Sequence, residues 1–167
     1  MPAPDFHPAT PEDVRQLRDT LDRQGKHLVF TNGCFDLLHT GHVRYLQQAR
    51  ALGDALVVAI NSDRSVRTLK GPDRPINSEL DRAEVIAALA CVDTVVIFEE
   101  PRVTRLIEQI QPHIYAKGGD YTPDTLDPGE KAALDSAGTA ISILSLVPGR
   151  STTSMLNRMQ TPAAPQE

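Results

Sequence analysis

Two histidines enclose a glycine in His39-Thr40-Gly41-His42, where the chain passes from an apolar run into an amphipathic stretch, Gly41–Ala51. A helix starting there leaves its first N–H groups without intrahelical partners and carries the positive end of its dipole. Phosphate binds readily at such a helix start. Gly41 has no Cβ to hold a phosphate away from the backbone. Imidazoles three residues apart on a first turn face the same side. Together they can donate hydrogen bonds to phosphate oxygens as charge builds in a transition state. The other readings of the pair are a metal site and two solvent-exposed histidines. A zinc site needs more ligands, and His7, His27 and His113 lie far away in sequence. No Ser or Cys stands beside a histidine–carboxylate pair, so an activated nucleophile is not indicated.

Further polar chemistry gathers at four places, each just after an apolar run. Thr31-Asn32-Gly33-Cys34-Phe35-Asp36 leads into the histidine motif, and Asn61-Ser62-Asp63 follows the second run. Lys117-Gly118-Gly119-Asp120-Tyr121 follows the fourth run, and Pro148-Gly149-Arg150-Ser151-Thr152-Thr153 follows the fifth. The runs are Leu28–Phe30, Ala55–Ile60, Val92–Phe98, His113–Ala116 and Thr139–Leu146. Helical patterns lie between them at Gly41–Ala51, Ser78–Ala90, Pro101–Gln111 and Gly129–Ala137. Strand-like runs alternating with helices imply a parallel sheet covered on both faces. Right-handed crossovers then make an α/β, Rossmann-like three-layer sandwich with a five-stranded parallel sheet. Ligands of such sheets sit at the carboxyl ends of the strands, where the winding reverses. All four polar segments are expected there. An earlier helix is expected after Thr10, with Pro11 at its first position, acids in its first turn and Gly25 at its end.

The 167 residues suit one domain, and 40% hydrophobic with 23% charged residues excludes a disordered or fibrous chain. Aromatics are 4% and Trp is absent, so the core must be aliphatic. With a net charge of −5, general binding to nucleic acid or an anionic membrane is not expected. An anionic ligand would have to be held by a local cluster of positive groups. No apolar run approaches the ~18 residues of a membrane span, and the N-terminal segment does not read as a signal peptide. Cys34 and Cys91 read as packed, reduced thiols of a cytoplasmic protein.

The run Thr31-Asn32-Gly33-x-Phe35-Asp36-x-x-His39-x-Gly41-His42 resembles the signature of the HxGH-motif nucleotidylyltransferase superfamily. The similarity runs from about His27 to Met159. Leu69-Lys70-Gly71 with Arg74-Pro75-Ile76-Asn77, and Lys117-Gly118-Gly119-Asp120-Tyr121, most resemble the D-glycero-β-D-manno-heptose 1-phosphate adenylyltransferase domain of ADP-heptose synthases. The resemblance divides the chain into an N-terminal helical extension (1–26), a nucleotidylyltransferase domain (27–160) and a disordered tail (161–167). No kinase domain accompanies it, so a separate kinase is expected to supply the substrate.

Residue roles follow from the resemblance. His39, His42, Lys70 and Arg82 would be catalytic, with Lys70 on a Gly/Pro-rich loop and Arg82 on the β/γ-phosphates. Without their neighbours they would read as a solvated loop lysine and a surface helix arginine. Thr31, Asn32, Gly33, Phe35, Gly41, Lys117, Gly119, Asp120, Ser151, Thr152 and Thr153 would bind nucleotide. Ser151 also reads as a helix cap, and Asp120 as part of a turn. Asp36, Asn61, Asp63 and Arg74 would contact substrate or orient other groups. For Asp36 this means a histidine, a Mg²⁺-bound water or the following turn backbone. No protein metal site is expected, and Mg²⁺ would arrive on the triphosphate.

The reaction implied is transfer of a nucleotidyl group from ATP to heptose 1-phosphate, releasing pyrophosphate and forming ADP-heptose. Two alternatives stay open: a CTP-dependent cytidylyltransferase acting on glycerol 3-phosphate or another polyol phosphate, and a non-catalytic nucleotide-binding module. Leu146 stands where glycerol-3-phosphate cytidylyltransferases carry an arginine, which favours ATP. The partners implied are small molecules, without nucleic acid or membrane, in a possible cytoplasmic homodimer. The apolar face of the N-terminal helix could serve such an interface or pack on its own sheet.

Overall fold

Every residue of Ala55–Asn61 is buried, the mark of a strand covered on both faces. In this computed structural model, which describes residues 6–119, 122–145 and 152–160, that segment is β2. It lies in an all-parallel sheet with β1 (Leu28–Gly33), β3 (Thr94–Phe98), β4 (Ile114–Gly118) and β5 (Ala140–Leu144). The spatial order of these five strands is β3-β2-β1-β4-β5. The chain winds outward from β1 to β3, then returns to the other side of β1 as β4. The reversal therefore falls between β1 and β4, and it opens a crevice at their carboxyl ends.

Alternating side chains of the strands supply two cores. Leu28, Phe30, Val57 and Ala59 pack with Val14, Leu106, Ile107, Ile110 and Leu134 on one face. The residues between them, Val29, Leu56, Val58 and Ile60, pack with Leu46, Ala49, Ala83 and Ile86 on the other. The first face is thus covered by α1 (Pro11–Arg23), α5 (Thr104–Ile110) and α6 (Pro128–Ala137), the second by α2 (Thr40–Arg50) and α4 (Glu79–Ala87). The three-layer α/β architecture expected from the pattern is the one observed. A last helix, α7, spans Thr152–Gln160. No helix among the described residues is long and apolar enough to cross a membrane.

The first helix starts as its sequence requires. Thr10 Oγ1 accepts from the Asp13 N–H at 3.1 Å, and Asp13 Oδ2 accepts from the Thr10 N–H at 2.8 Å, a reciprocal cap. Its apolar face packs on its own domain: Val14 and Leu21 join the core, and Arg18 Nε donates to the Gln111 carbonyl at 3.0 Å. Ahead of it, Ala9 bridges Val96 in parallel and extends the sheet by one residue.

One helix was not expected. Asp63–Lys70 forms α3, capped by Ser62 Oγ, which accepts from the Ser65 N–H at 3.1 Å. Lys70 is its last residue and not part of a loop, and Gly71, at φ 101°, ends it. The helix is only eight residues long and buries only Ser65 and Val66, so its apolar side is too short for a sequence reading to detect.

Candidate active site

A cavity of about 350 Å³ opens at the carboxyl ends of β1 and β4. β1 and its turn supply Asn32, Gly33, Cys34, Phe35 and Asp36, and the start of α2 supplies His39, Gly41 and His42. Lys117 and Gly118 come from β4, and Lys70, Arg74, Thr152 and Thr153 close the remaining sides. Segments far apart in sequence meet there because most follow a strand end or begin a helix at the same level of the sheet, joined by the last residue of α3 and the loop after it.

The histidines are arranged as a pair. Their rings stack with centroids 3.9 Å apart and planes 24° from parallel. The His39 N–H points to His42 Nδ1 at 3.4 Å. With Nδ1 serving as acceptor, the proton of neutral His42 belongs on Nε2, where it is available as a donor. Burial, helped by the neighbouring His39 and Lys70, pulls the His42 pKa down to about 4. His42 is therefore neutral at pH 7 and acts as a hydrogen-bond donor, not as a fixed charge.

Phe35 shapes the floor. It adopts a left-handed backbone, φ 47°, a costly conformation for a non-glycine residue and one concentrated at functional sites. Its ring folds back over Gly33, where an added Cβ would lie 2.9 Å from Phe35 Cε2. Glycine at position 33 is thus what allows the ring to lie there, 5.5 Å from the His42 ring.

Asp36 organises the loop opposite. Its carboxylate accepts from Arg74 Nε at 2.7 Å, from the Ile76 N–H at 2.9 Å and from the Asn77 N–H at 3.1 Å. Asn77 Nδ2 donates in return to the Asp36 carbonyl at 2.9 Å. Burial raises the Asp36 pKa, but the Asn77 and Ile76 N–H groups and the Arg74 guanidinium outweigh it and hold the carboxyl below its usual value. The carboxylate is therefore turned towards the 74–77 segment and presents Arg74 to the cavity.

Several expected site residues lie elsewhere. Thr31 is fully buried beneath the cavity, with Oγ1 2.7 Å from Tyr45 Oη. Tyr45 Oη in turn donates to the Ala116 carbonyl at 3.0 Å, tying α2 to β1 and β4. Arg82, with its side chain 1% exposed, is not a surface arginine and does not line the cavity. It donates to the Cys34 carbonyl at 2.6 Å, the Asn77 carbonyl at 3.1 Å and Asp63 Oδ1 at 2.8 Å. It thereby fastens the β1 turn, the 74–77 loop and α3 to one another. Asn61 is also buried, donating to Ser65 Oγ at 2.9 Å. Asp63 is engaged by Arg82, and Gly119 N donates to the Leu144 carbonyl at 3.1 Å, so neither lines the cavity. Asp120, Tyr121, Leu146, Arg150 and Ser151 lie outside the described residues. Cys34 lines the cavity, with its thiol pKa raised by burial.

Tyr45 lines the cavity without having been singled out, and Gly118 lines it beside Lys117. Tyr45 had a readable signal, three residues beyond His42 on the same helix face. Among the described residues no three His, Cys, Asp or Glu side chains form a metal cluster. Among the described residues that line the cavity the carboxylate is Asp36, which is committed to Arg74 and the loop backbone.

Fold and site together define a Rossmann-like α/β protein whose switch-point crevice suits a phosphate-bearing ligand. The chain belongs to the cytidylyltransferase-like family, whose model matches residues 30–152. It is 53% identical over 148 residues to the bifunctional protein HldE of Syntrophotalea carbinolica (strain DSM 2380 / NBRC 103641 / GraBd1), covering 89% of this chain and 30% of that one. It is 54% identical over 138 residues to the bifunctional protein HldE of Geotalea uraniireducens (strain Rf4), covering 83% of this chain and 28% of the relative. The chain thus spans less than a third of the length of these curated relatives. A similar solved structure is the lipopolysaccharide core biosynthesis protein from Thermoplasma volcanium GSS1. It has a TM-score of 0.61 and 29% identity, with 74% of this chain and 98% of that one covered.

Proposed function

We propose that the protein is an adenylyltransferase that joins ATP to a sugar phosphate, with D-glycero-β-D-manno-heptose 1-phosphate as acceptor. The products are pyrophosphate and ADP-heptose. One observation carries the reading: Lys70, Arg74 and Lys117 converge with His39 and His42 on one cavity, in a chain of net charge −5. A local positive cluster in an acidic protein is what a polyphosphate ligand requires.

An oxygen of the acceptor phosphate attacks the α-phosphorus in line, and the bond to the pyrophosphate oxygen breaks. A phosphate monoester is largely ionised at neutral pH, so no strong general base is needed. What the residues supply is position and charge stabilisation. The start of α2 offers backbone N–H groups to the phosphates, and Gly41 permits their close approach. Neutral His42 donates through Nε2–H, beside stacked His39. Lys70 and Arg74 face the triphosphate from the opposite wall, and Mg²⁺ enters with it.

The heptose acceptor is supported by the similarity to HldE proteins and to a lipopolysaccharide core biosynthesis protein. A cytoplasmic enzyme working as a homodimer on small molecules belongs to the same reading. The cytidylyltransferase-like family description keeps CTP with a polyol phosphate as the second reading. Pyrophosphate release measured over ATP and CTP, each with heptose 1-phosphate and glycerol 3-phosphate, decides between them. Polar groups left unpaired by the wrong base cost about 1–3 kcal/mol. ATP should therefore exceed CTP at least about tenfold in kcat/KM. Equal use, or a preference for CTP, overturns the adenylyl assignment. No pyrophosphate release with any pair overturns catalysis altogether.

A further inference from the structure

Behind the wall of the cavity lies a buried carboxylate to which none of these roles applies. Glu130 is in the first turn of α6, which starts at the carboxyl end of the sheet after the chain leaves β4. Asp127 Oδ1 caps that turn, accepting from the Gly129 and Glu130 N–H groups at 3.0 and 3.2 Å. The cap fixes where the Glu130 side chain departs from the helix. That side chain is only 4% exposed. Among the described residues, buried Oε2 has no hydrogen-bond donor. An ionised carboxylate is costly to bury without a compensating charge. The charge nearest to hand is the Lys117 ammonium, whose Nζ lies 3.7 Å from Glu130 Oε2.

Lys117 also meets a second buried group. Its Nζ donates to Tyr115 Oη at 3.4 Å, and Tyr115 Oη donates to Asn32 Oδ1 at 2.7 Å. Tyr115 is fully buried, whereas Asn32 and Lys117 both line the cavity. An ammonium has three N–H donors on a flexible stem. A carboxylate and a phenol oxygen engage it from behind, while Lys117 itself lines the cavity.

We propose that Glu130 is a positioning residue: with Tyr115 it holds the Lys117 ammonium at the cavity wall, aimed at a phosphate group of the bound substrate. The lysine side chain then loses little freedom when the anion arrives, because that freedom is already spent. The phosphate it meets belongs either to the nucleotide or to the acceptor. This inference rests on the adenylyltransferase reading, and its test separates the two.

The test uses the full chain and compares wild type, Glu130→Gln, Lys117→Ala and the double variant. ATP binding is measured by calorimetry with Mg²⁺ present, and KM for each substrate by pyrophosphate release. Glu130→Gln keeps the side chain's shape and removes its charge. It should raise either the Kd and KM for ATP or the KM for heptose 1-phosphate about fivefold or more, with a smaller change in kcat. The substrate affected tells whose phosphate Lys117 meets. In the Lys117→Ala background the same substitution should add less than about twofold, because the partner through which it acts is gone. A purely structural glutamate would lower Tm while leaving Kd and both KM values unchanged, or would act equally in both backgrounds. Either result overturns the proposal while leaving the enzyme assignment standing. If Glu130→Gln does not fold, Tyr115→Phe removes the other holding contact and must show the same dependence on Lys117. A wild type that binds no nucleoside triphosphate overturns the assignment and the proposal together.

Discussion

Asp36 sets how firmly one wall of the cavity is held, and the consequence of changing it can be worked out in advance. Its carboxylate side chain is 1% exposed and accepts from Arg74 Nε, the Ile76 N–H and the Asn77 N–H. A hydrogen bond to a charged group contributes about 1.5–3 kcal/mol, and a neutral one about 1. In Asp36→Asn one oxygen can still serve the two backbone donors at neutral strength. The new amide NH₂ must face the Arg74 guanidinium, so that contact is lost. The combined loss is about 3 kcal/mol, or about 10²-fold in the local opening equilibrium of the loop. The assay is amide hydrogen exchange. Protection at Ile76 and Asn77 should fall about a hundredfold, while amides of β1 and β2 serve as the control for global stability. The KM for ATP should rise with it, because Arg74 lines the cavity. Exchange at Ile76 and Asn77 within threefold of wild type would refute the reasoning. The pH dependence has a definite sign. Because the Asp36 pKa is lowered, its contribution is complete above the ordinary aspartate value and is lost as pH falls through the folded-state value.

His42→Ala should lower kcat by about 10²–10³ while Kd for ATP changes less, and a variant keeping more than half the wild-type kcat removes the histidine from the mechanism. By NMR titration, the His42 ring of the free protein should show no midpoint near 6.5, since burial holds its pKa at about 4. The neutral form is favoured by folding, so this residue's contribution to stability is complete above pH 6.5 and is lost as pH falls towards 4. Arg82→Met should cost about 3–5 kcal/mol and lower Tm by about 10 °C, because Asp63 loses its partner and two carbonyls lose their donor. A Tm within about 2 °C of wild type would show that Arg82 is not the fastening group its contacts indicate.

The sheet, its covering helices and the position of the site were legible in the sequence. Apolar runs of strand length alternating with helical patterns indicate a covered parallel sheet, and the winding of such a sheet fixes where ligands bind. Gly41 between two histidines was legible too, since a helix start and its dipole are local properties. The roles of the charged residues were not. Arg82 and Arg74 look alike in sequence, and both have the spacing of site residues. One is turned inwards as a fastener, while the other is presented to the cavity by Asp36. Helix α3 was hidden because its stability rests on the Ser62 cap and on the Arg82 and Glu79 contacts to Asp63, not on an apolar stripe. Glu130 gave no signal at all: it lies 13 residues beyond Lys117 and meets it only when α6 folds back along β4. Which residue types the site would use was thus decided by local chemistry, readable along the chain. Which of them touch the ligand, and which hold those that do, depends on distances between segments remote in sequence, and only the packed fold sets them.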